Sequence, residues 1–189
     1  MRELEEGIIH IVGHVHIEDD LGNVLLDKQN AVHPENMSLI IGRGLSRVSD
    51  YYIHTLVLGN GGASVGSSGA ITYLPPVTTG GAATIYNETY REIVDDVDAG
   101  VGSNNSVSVA SGSGTTSVVT VALELEAAEP ASQPTTDQAP SSEDDFAFDE
   151  LGLLSDSDDK LLSHIIFSPI LKSANRSITI TYTLTITVS

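Results

Sequence analysis

The sequence predicts a mainly β protein, a single antiparallel β-sandwich of jelly-roll-like type over residues 1–189 with one short helix and long loops. Three observations predict it. Apolar and polar residues alternate with a period of two in several segments, most regularly over Ile178–Val188, which is the pattern of a strand with one face in a core. Aromatic residues make up only 5% of the chain, Trp is absent and Gly occurs 17 times, so the core must be built from Ile, Val and Leu and the chain must turn often. Clusters of Gly, Asn, Asp, Ser and Pro punctuate the alternating segments, as turns do. At 189 residues one sizeable domain is the expectation. No period of 20 to 50 residues repeats, which excludes solenoids and propellers.

The elements follow in chain order. From Ile8 to Glu18, Ile9, Ile11, Gly13, Val15 and Ile17 share one face and His10, Val12, His14, His16 and Glu18 the other, a strand with one buried side. "DDLGN" is a turn and "VLLDKQN" its return strand, so the chain opens on a hairpin. In "HPENMSLIIGRGLSR", Pro34 suits the first helical position and Glu35 the positive end of a helix. Met37, Ile40, Ile41, Leu45 and Val48 recur there at helical spacing, which predicts one short helix, weakened by Gly42 and Gly44. "YYIHTLVLG" reads as a strand and "NGGASVGSSGA" as a loop. Pro75 and Pro76 break the next segment, and Ile85 to Val97 is extended, with strand at either end. "SVSVASGSGTTSVVTVALELE" predicts a second hairpin whose return strand has Ser117, Val119, Val121, Leu123 and Leu125 on one face and Val118, Thr120, Ala122, Glu124 and Glu126 on the other. Residues 127 to 145, rich in Pro, Ala, Ser and acids, predict a long loop or arm within the domain. "KLLSHIIFS" is a strand that Pro169 breaks or bulges, and Ser177–Ser189 is expected to be the longest strand, about 40 Å at about 3.3 Å per residue.

Charge narrows the function classes. There are 26 acidic and 8 basic residues, a formal net charge of −18, which repels phosphate backbones and anionic lipid and argues against nucleic-acid and membrane partners. Between Glu92 and Asp159 stand sixteen carboxylates and no Lys or Arg, so that region is expected to be solvated, screened by cations or set against a basic partner. With no cysteine there is no disulfide framework or thiolate site. "MRELEEGIIHIVGHVHIEDD" has neither a signal peptide's apolar run nor a membrane span, which suggests synthesis and assembly in a reducing cytoplasm. The sequons at Asn36, Asn87, Asn104 and Asn175 then carry no glycan.

Tests for chemistry return little. Gly62-Ala63-Ser64-Val65-Gly66 matches G-x-S-x-G, but a nucleophile elbow needs a helix after the serine and "SSGAITYLPP" cannot start one. His14 and His16 have the spacing for two imidazoles on one metal, although no third and fourth ligand is evident. Asp156 and Asp158 begin a run resembling a calcium loop, yet Leu161 and Phe167 occupy the positions of its central Gly and bidentate Glu. Calcium bound adventitiously by that run is the one cofactor left open, and nothing argues for an enzyme.

The closing strand points instead to assembly. Ile178, Ile180, Tyr182, Leu184, Ile186 and Val188 form an apolar stripe, with Thr179, Thr181, Thr183, Thr185 and Thr187 opposite. The threonine side is β-favouring and uncharged, and a bare edge there would invite another chain. Ile178 and these five threonines are therefore the expected assembly interface.

"NAVHPENMS", "LVLGNGG", "ITYLPP", "YNETYREIVDD", "FDELGLL" and "LLSHIIFSPILKSANRSITITYTLTI" together resemble the ordered landmarks of virion structural proteins of tailed bacteriophages. The last two blocks are similar to a pattern in tail, collar and fibre-attachment proteins: an acidic "DE-G-L" turn, a strand, Pro, Lys and a long Thr/Ile strand. The resemblance fades over residues 98 to 145. It implies a non-enzymatic β-sandwich subunit of the virion, in the neck, collar or tail apparatus, assembled in the host cytoplasm with copies of itself and other virion proteins. A capsid decoration protein and a glycan- or receptor-binding module are the alternatives. A hydrolase using Ser64 is a third.

Overall fold

The computed structural model describes residues 7–48, 51–94, 104–112, 114–130 and 145–189. Its strands are β1 (Ile9–Asp19), β2 (Val24–Val32), β3 (Ile53–Gly59), β4 (Ala63–Val65), β5 (Ile71–Tyr73), β6 (Glu88–Ile93), β7 (Ser106–Ser111), β8 (Thr116–Leu125), β9 (Asp145–Ser155), β10 (Leu161–Ser173) and β11 (Ile178–Val188), with helix α1 (Pro34–Leu45) between β2 and β3. Nine strands form one sheet in the order β6-β3-β9-β10-β2-β1-β11-β8-β7, and β4-β5 form a separate hairpin. Every pairing is antiparallel.

The sandwich is made by curling this one sheet. β2 and β10 pair only at Ser163–Val32 and His164–Ala31. Across that narrow junction the halves turn their apolar faces together: Val15, Ile17, Val121, Leu123, Ile180 and Tyr182 from one half share a single core cluster with Leu56, Leu58, Phe148, Leu151, Leu153 and Phe167 from the other. The cluster is mostly aliphatic, as a low-aromatic composition requires, and hydrophobic burial of this kind is the main favourable contribution to folding.

Local sequence accounts for the opening elements. The β1–β2 turn is held by Asp19, whose Oδ1 accepts from the backbone N–H of Leu21 and Asn23, both at 2.9 Å, while Gly22 takes a φ of +78° that suits glycine. The first helical residue is Pro34, and His33 caps the helix, its Nδ1 accepting from Asn36 N–H at 3.3 Å. Met37 is buried and Ile40 and Ile41 pack on the core. Leu45 and Val48, expected on the same face, are exposed: the helix ends at Leu45, and only its first two turns lie against the sheet, where Asn36 Nδ2 donates to the Leu161 carbonyl at 2.9 Å.

Several expectations change. The longest strand is β10 at 13 residues, against 11 for β11; Pro169 does not end it, because the pairing with β9 skips between Ile166 and Ile170 and the bulge absorbs the residue without a backbone donor. "NGGASVGSSGA" is not wholly loop, since Ala63–Val65 pairs with Ile71–Tyr73. The acidic "DE-G-L" block is no turn: it lies inside β9. The Pro- and acid-rich arm at 127 to 145 falls largely on residues 131–144, outside the described residues. No described helix is long and apolar enough to cross a membrane.

Candidate functional site

The densest polar cluster is centred on β9. Asp149 and Glu150 are 3% and 0% exposed, so the expectation of a solvated acidic region fails at these two positions. Backbone donors make their burial tolerable, because a buried carboxylate needs hydrogen bonds to replace water. Asp149 accepts from Gly62 N–H at 2.8 Å and Ala63 N–H at 3.0 Å. Glu150 Oε1 accepts from Asn87 N–H at 2.7 Å and Gly61 N–H at 3.0 Å, and Oε2 from Tyr86 N–H at 2.9 Å. Glycine is needed where the loop comes this close: a Cβ on Gly59 would stand 2.3 Å from the Asn87 carbonyl oxygen and 2.6 Å from Glu150 Oε1.

His164, on β10 and also 0% exposed, completes the cluster. Its Nδ1 accepts from Val77 N–H at 2.9 Å, so the ring hydrogen sits on Nε2, which donates to Glu150 Oε2 at 3.0 Å. Together Glu150 and His164 fasten residues 77–87 over the outer face of β9 and β10, where Val77, Ala83 and Ile85 close a small second core on Val57, Leu154 and Leu161. With both carboxylate oxygens of Glu150 occupied, the cluster fastens the loop to β9 and β10.

The protonation states follow from the same contacts. Burial alone would raise the Glu150 carboxyl, but hydrogen bonds from His164, Asn87, Tyr86 and Gly61 outweigh it and hold it below the usual range. At Asp149 burial wins over the two backbone donors and the carboxyl is raised, with Glu150 adding repulsion. Asp19 is lowered to about 2, mainly by the Asn23 side chain. A group lowered on folding stabilises above its unfolded value and loses that contribution as pH falls through its folded value. Glu150 and Asp19 therefore make the fold weaken progressively below about pH 4, while Asp149, raised on folding, opposes them by favouring the fold as it protonates. A melting-temperature series from pH 6 to 2 is expected to fall, and the fall should be shallower in Asp19→Asn.

The residues singled out from the sequence lie elsewhere. His14 and His16 stand on the outer face of β1 beside Asp27 of β2, with His14 Nε2 to Asp27 Oδ1 at 2.5 Å and His16 Nδ1 to Asp27 Oδ2 at 3.8 Å. Asp27 was missed from sequence, although the hairpin register, which opposes His16 and Asp27, is the signal that would have found it. Asp156 and Asp158 are not brought into one site: Asp156 lies 3.6 Å from His54 Nε2, and Asp158 is exposed at a φ of 64° in the short turn before β10. No group of three or more His, Asp or Glu able to hold a metal occurs among the described residues. Ser64 lies exposed on β4 with a hairpin turn after it instead of a helix.

A groove of about 540 Å³ runs along α1 between Glu35, Arg43, Gly81 and Lys160. Its two cations are engaged, Arg43 over the Tyr51 ring at 3.9 Å and Lys160 Nζ donating to the Gly81 carbonyl at 2.6 Å.

The threonine strand occupies the middle of a sheet half. β11 pairs along its full length with β1 on one side and β8 on the other, so it has no bare edge and the expected edge pairing there is ruled out. Ile178 is 4% exposed and belongs to the core, which removes it from the expected interface. Thr179, Thr181, Thr183, Thr185 and Thr187 are half-buried on the outer face. Each has a β8 neighbour: Glu124, Ala122, Thr120, Val118 and Thr116 in turn. Beyond lie Ser106, Ser108 and Ala110 of β7. Residues 104–123 and 177–189 contain no charged side chain, so β11, β8 and β7 form one uncharged panel that meets carboxylates only at its Thr179 end. Comparison with family models, curated proteins and solved structures finds no match for this chain.

Proposed function

We propose that the chain is a non-enzymatic structural subunit that works by docking to copies of itself and to other proteins of a particle, in keeping with its resemblance to neck, collar and tail proteins of tailed bacteriophages. The observation that carries the reading is the uncharged β11-β8-β7 panel. In a chain of net charge −18, two copies repel each other on most approaches, and a flat neutral face is where contact costs least. Threonine and serine hydroxyls add hydrogen bonds there without the desolvation penalty of charge.

Thr183 sits centrally on the panel, opposite His14 on β1 and Thr120 on β8. Thr183→Glu places a carboxylate in its middle and, being on the outer face, is expected to leave the stability within about 1 kcal/mol of wild type. Light scattering at increasing concentration should show the wild-type mass rising to a fixed multiple of 19.9 kDa and the variant remaining smaller. An identical mass for both proteins would sink the panel as the docking face.

A further inference from the structure

The sheet has two outer strands, and they differ in kind. β6 carries Glu88, Arg91 and Glu92, with Arg91 Nε 2.5 Å from Glu88 and Arg91 Nη1 3.0 Å from Asp159. Charged side chains of this sort guard an edge against pairing with another chain. β7 reads Ser-Val-Ser-Val-Ala-Ser. It has no charge, no proline and no bulge against β8, three of the devices that blunt an edge. Val109 is 73% exposed although it opposes Val119 and shares a face with Val107, and both of those residues pack against the core. The core thus runs out to the edge and stops at an uncovered valine.

We infer that β7 is a pairing edge for a second copy of this chain, joining two sheets through antiparallel β7–β7 contact about a two-fold axis perpendicular to the sheet. Charge selects the occupant. A strongly acidic partner surface is met most easily where this chain is neutral, and β7 and its neighbours β8 and β11 carry no charge apart from Glu124 at one end, so two copies approaching by β7 bring uncharged panels side by side and keep their carboxylates apart. Isologous pairing also needs a self-complementary strand, and Ser/Val alternation supplies one.

The register follows from the pleat. Directly opposed residues in an antiparallel pair point to the same face, and the perpendicular two-fold keeps the faces of both copies aligned, so even-numbered residues must oppose even-numbered ones. Any pivot on a residue satisfies this, and the two nearest the middle of β7 pair the most residues. A pivot at Val109 opposes Val107 to Ser111. A pivot at Ser108 opposes Val107 to Val109 twice, which covers the exposed Val109 of each copy with the half-buried Val107 of the other and continues each core into its neighbour. The second is the register assigned here. The inference deepens the subunit reading above and rests on it for a second copy as the occupant.

The chain has no cysteine, so a single introduced thiol reports one contact. Wild type is expected to show twice 19.9 kDa by light scattering at low micromolar concentration, and Val109→Lys half that mass with an unchanged circular dichroism spectrum; Val109→Thr should remain dimeric. Ser108→Cys should form a disulfide-linked dimer under mild oxidation, at least tenfold faster than Ser64→Cys, whose exposed thiol measures chance collision. Three results overturn the inference: a monomeric wild type, a dimer that survives Val109→Lys, or equal crosslinking of the two cysteine variants. A larger assembly that survives Val109→Lys and is broken by Thr183→Glu overturns edge pairing while leaving the structural-subunit reading in place.

Discussion

Glu150→Ala is expected to lower the melting temperature by roughly 6–20 °C. Removing the carboxylate strands the part-buried backbone donors of Gly61, Tyr86 and Asn87 and the fully buried Nε2–H of His164. Removing one side of a buried charged hydrogen-bond network costs about 3–5 kcal/mol, and a domain of this size loses about 2–4 °C per kcal/mol. The damage should also be local. Hydrogen exchange at Gly61, Val77, Tyr86 and Asn87 should accelerate well before that of β8, because the loop over β9 opens as its fastening is lost. Glu150→Gln is expected to fall between, since its amide oxygen can serve one pair of donors while its NH₂ faces the others. A melting temperature unchanged in Glu150→Ala would mean that residues 77–87 are held by their apolar contacts alone.

Phe148→Ala is the second large effect. Phe148 is 1% exposed in the main cluster, and deleting a buried phenyl ring costs about 3–5 kcal/mol in transfer and cavity terms. The informative comparison is Leu45→Ala. Leu45 has helical spacing with Met37 and Ile41, but it is 85% exposed, so its loss should stay within about 0.5 kcal/mol. Urea unfolding of both variants checks the core directly: comparable losses in the two would return Leu45 to the core and contradict the way α1 lies on the sheet.

β1 shows how far sequence alone reaches. Gly13, Val15 and Ile17 are buried and His14 and His16 half-exposed, as the alternation requires, because a period of two is dictated by the pleat. β9 shows where this stops. Its core-facing residues change parity, Phe146 and Phe148 before Asp149 and Leu151 and Leu153 after it, and the skip in pairing that accompanies this lies in the partner strand. Nothing in "FDELGLL" alone encodes that shift. Asp149 and Glu150 look like surface carboxylates for the same reason. Their donors come from residues 61–63 and 86–87, more than sixty positions earlier, and no local pattern reports a partner that distant.

The candidate docking surface divides in the same way. That Thr179 to Thr187 share one uncharged face was determined by the sequence, since alternation along a single strand is local. That β11 lies between β1 and β8, with β7 left as the open edge, was decided only by the tertiary structure. Strand order depends on which pairings bury the most apolar surface together, a property of the whole chain that no single strand carries.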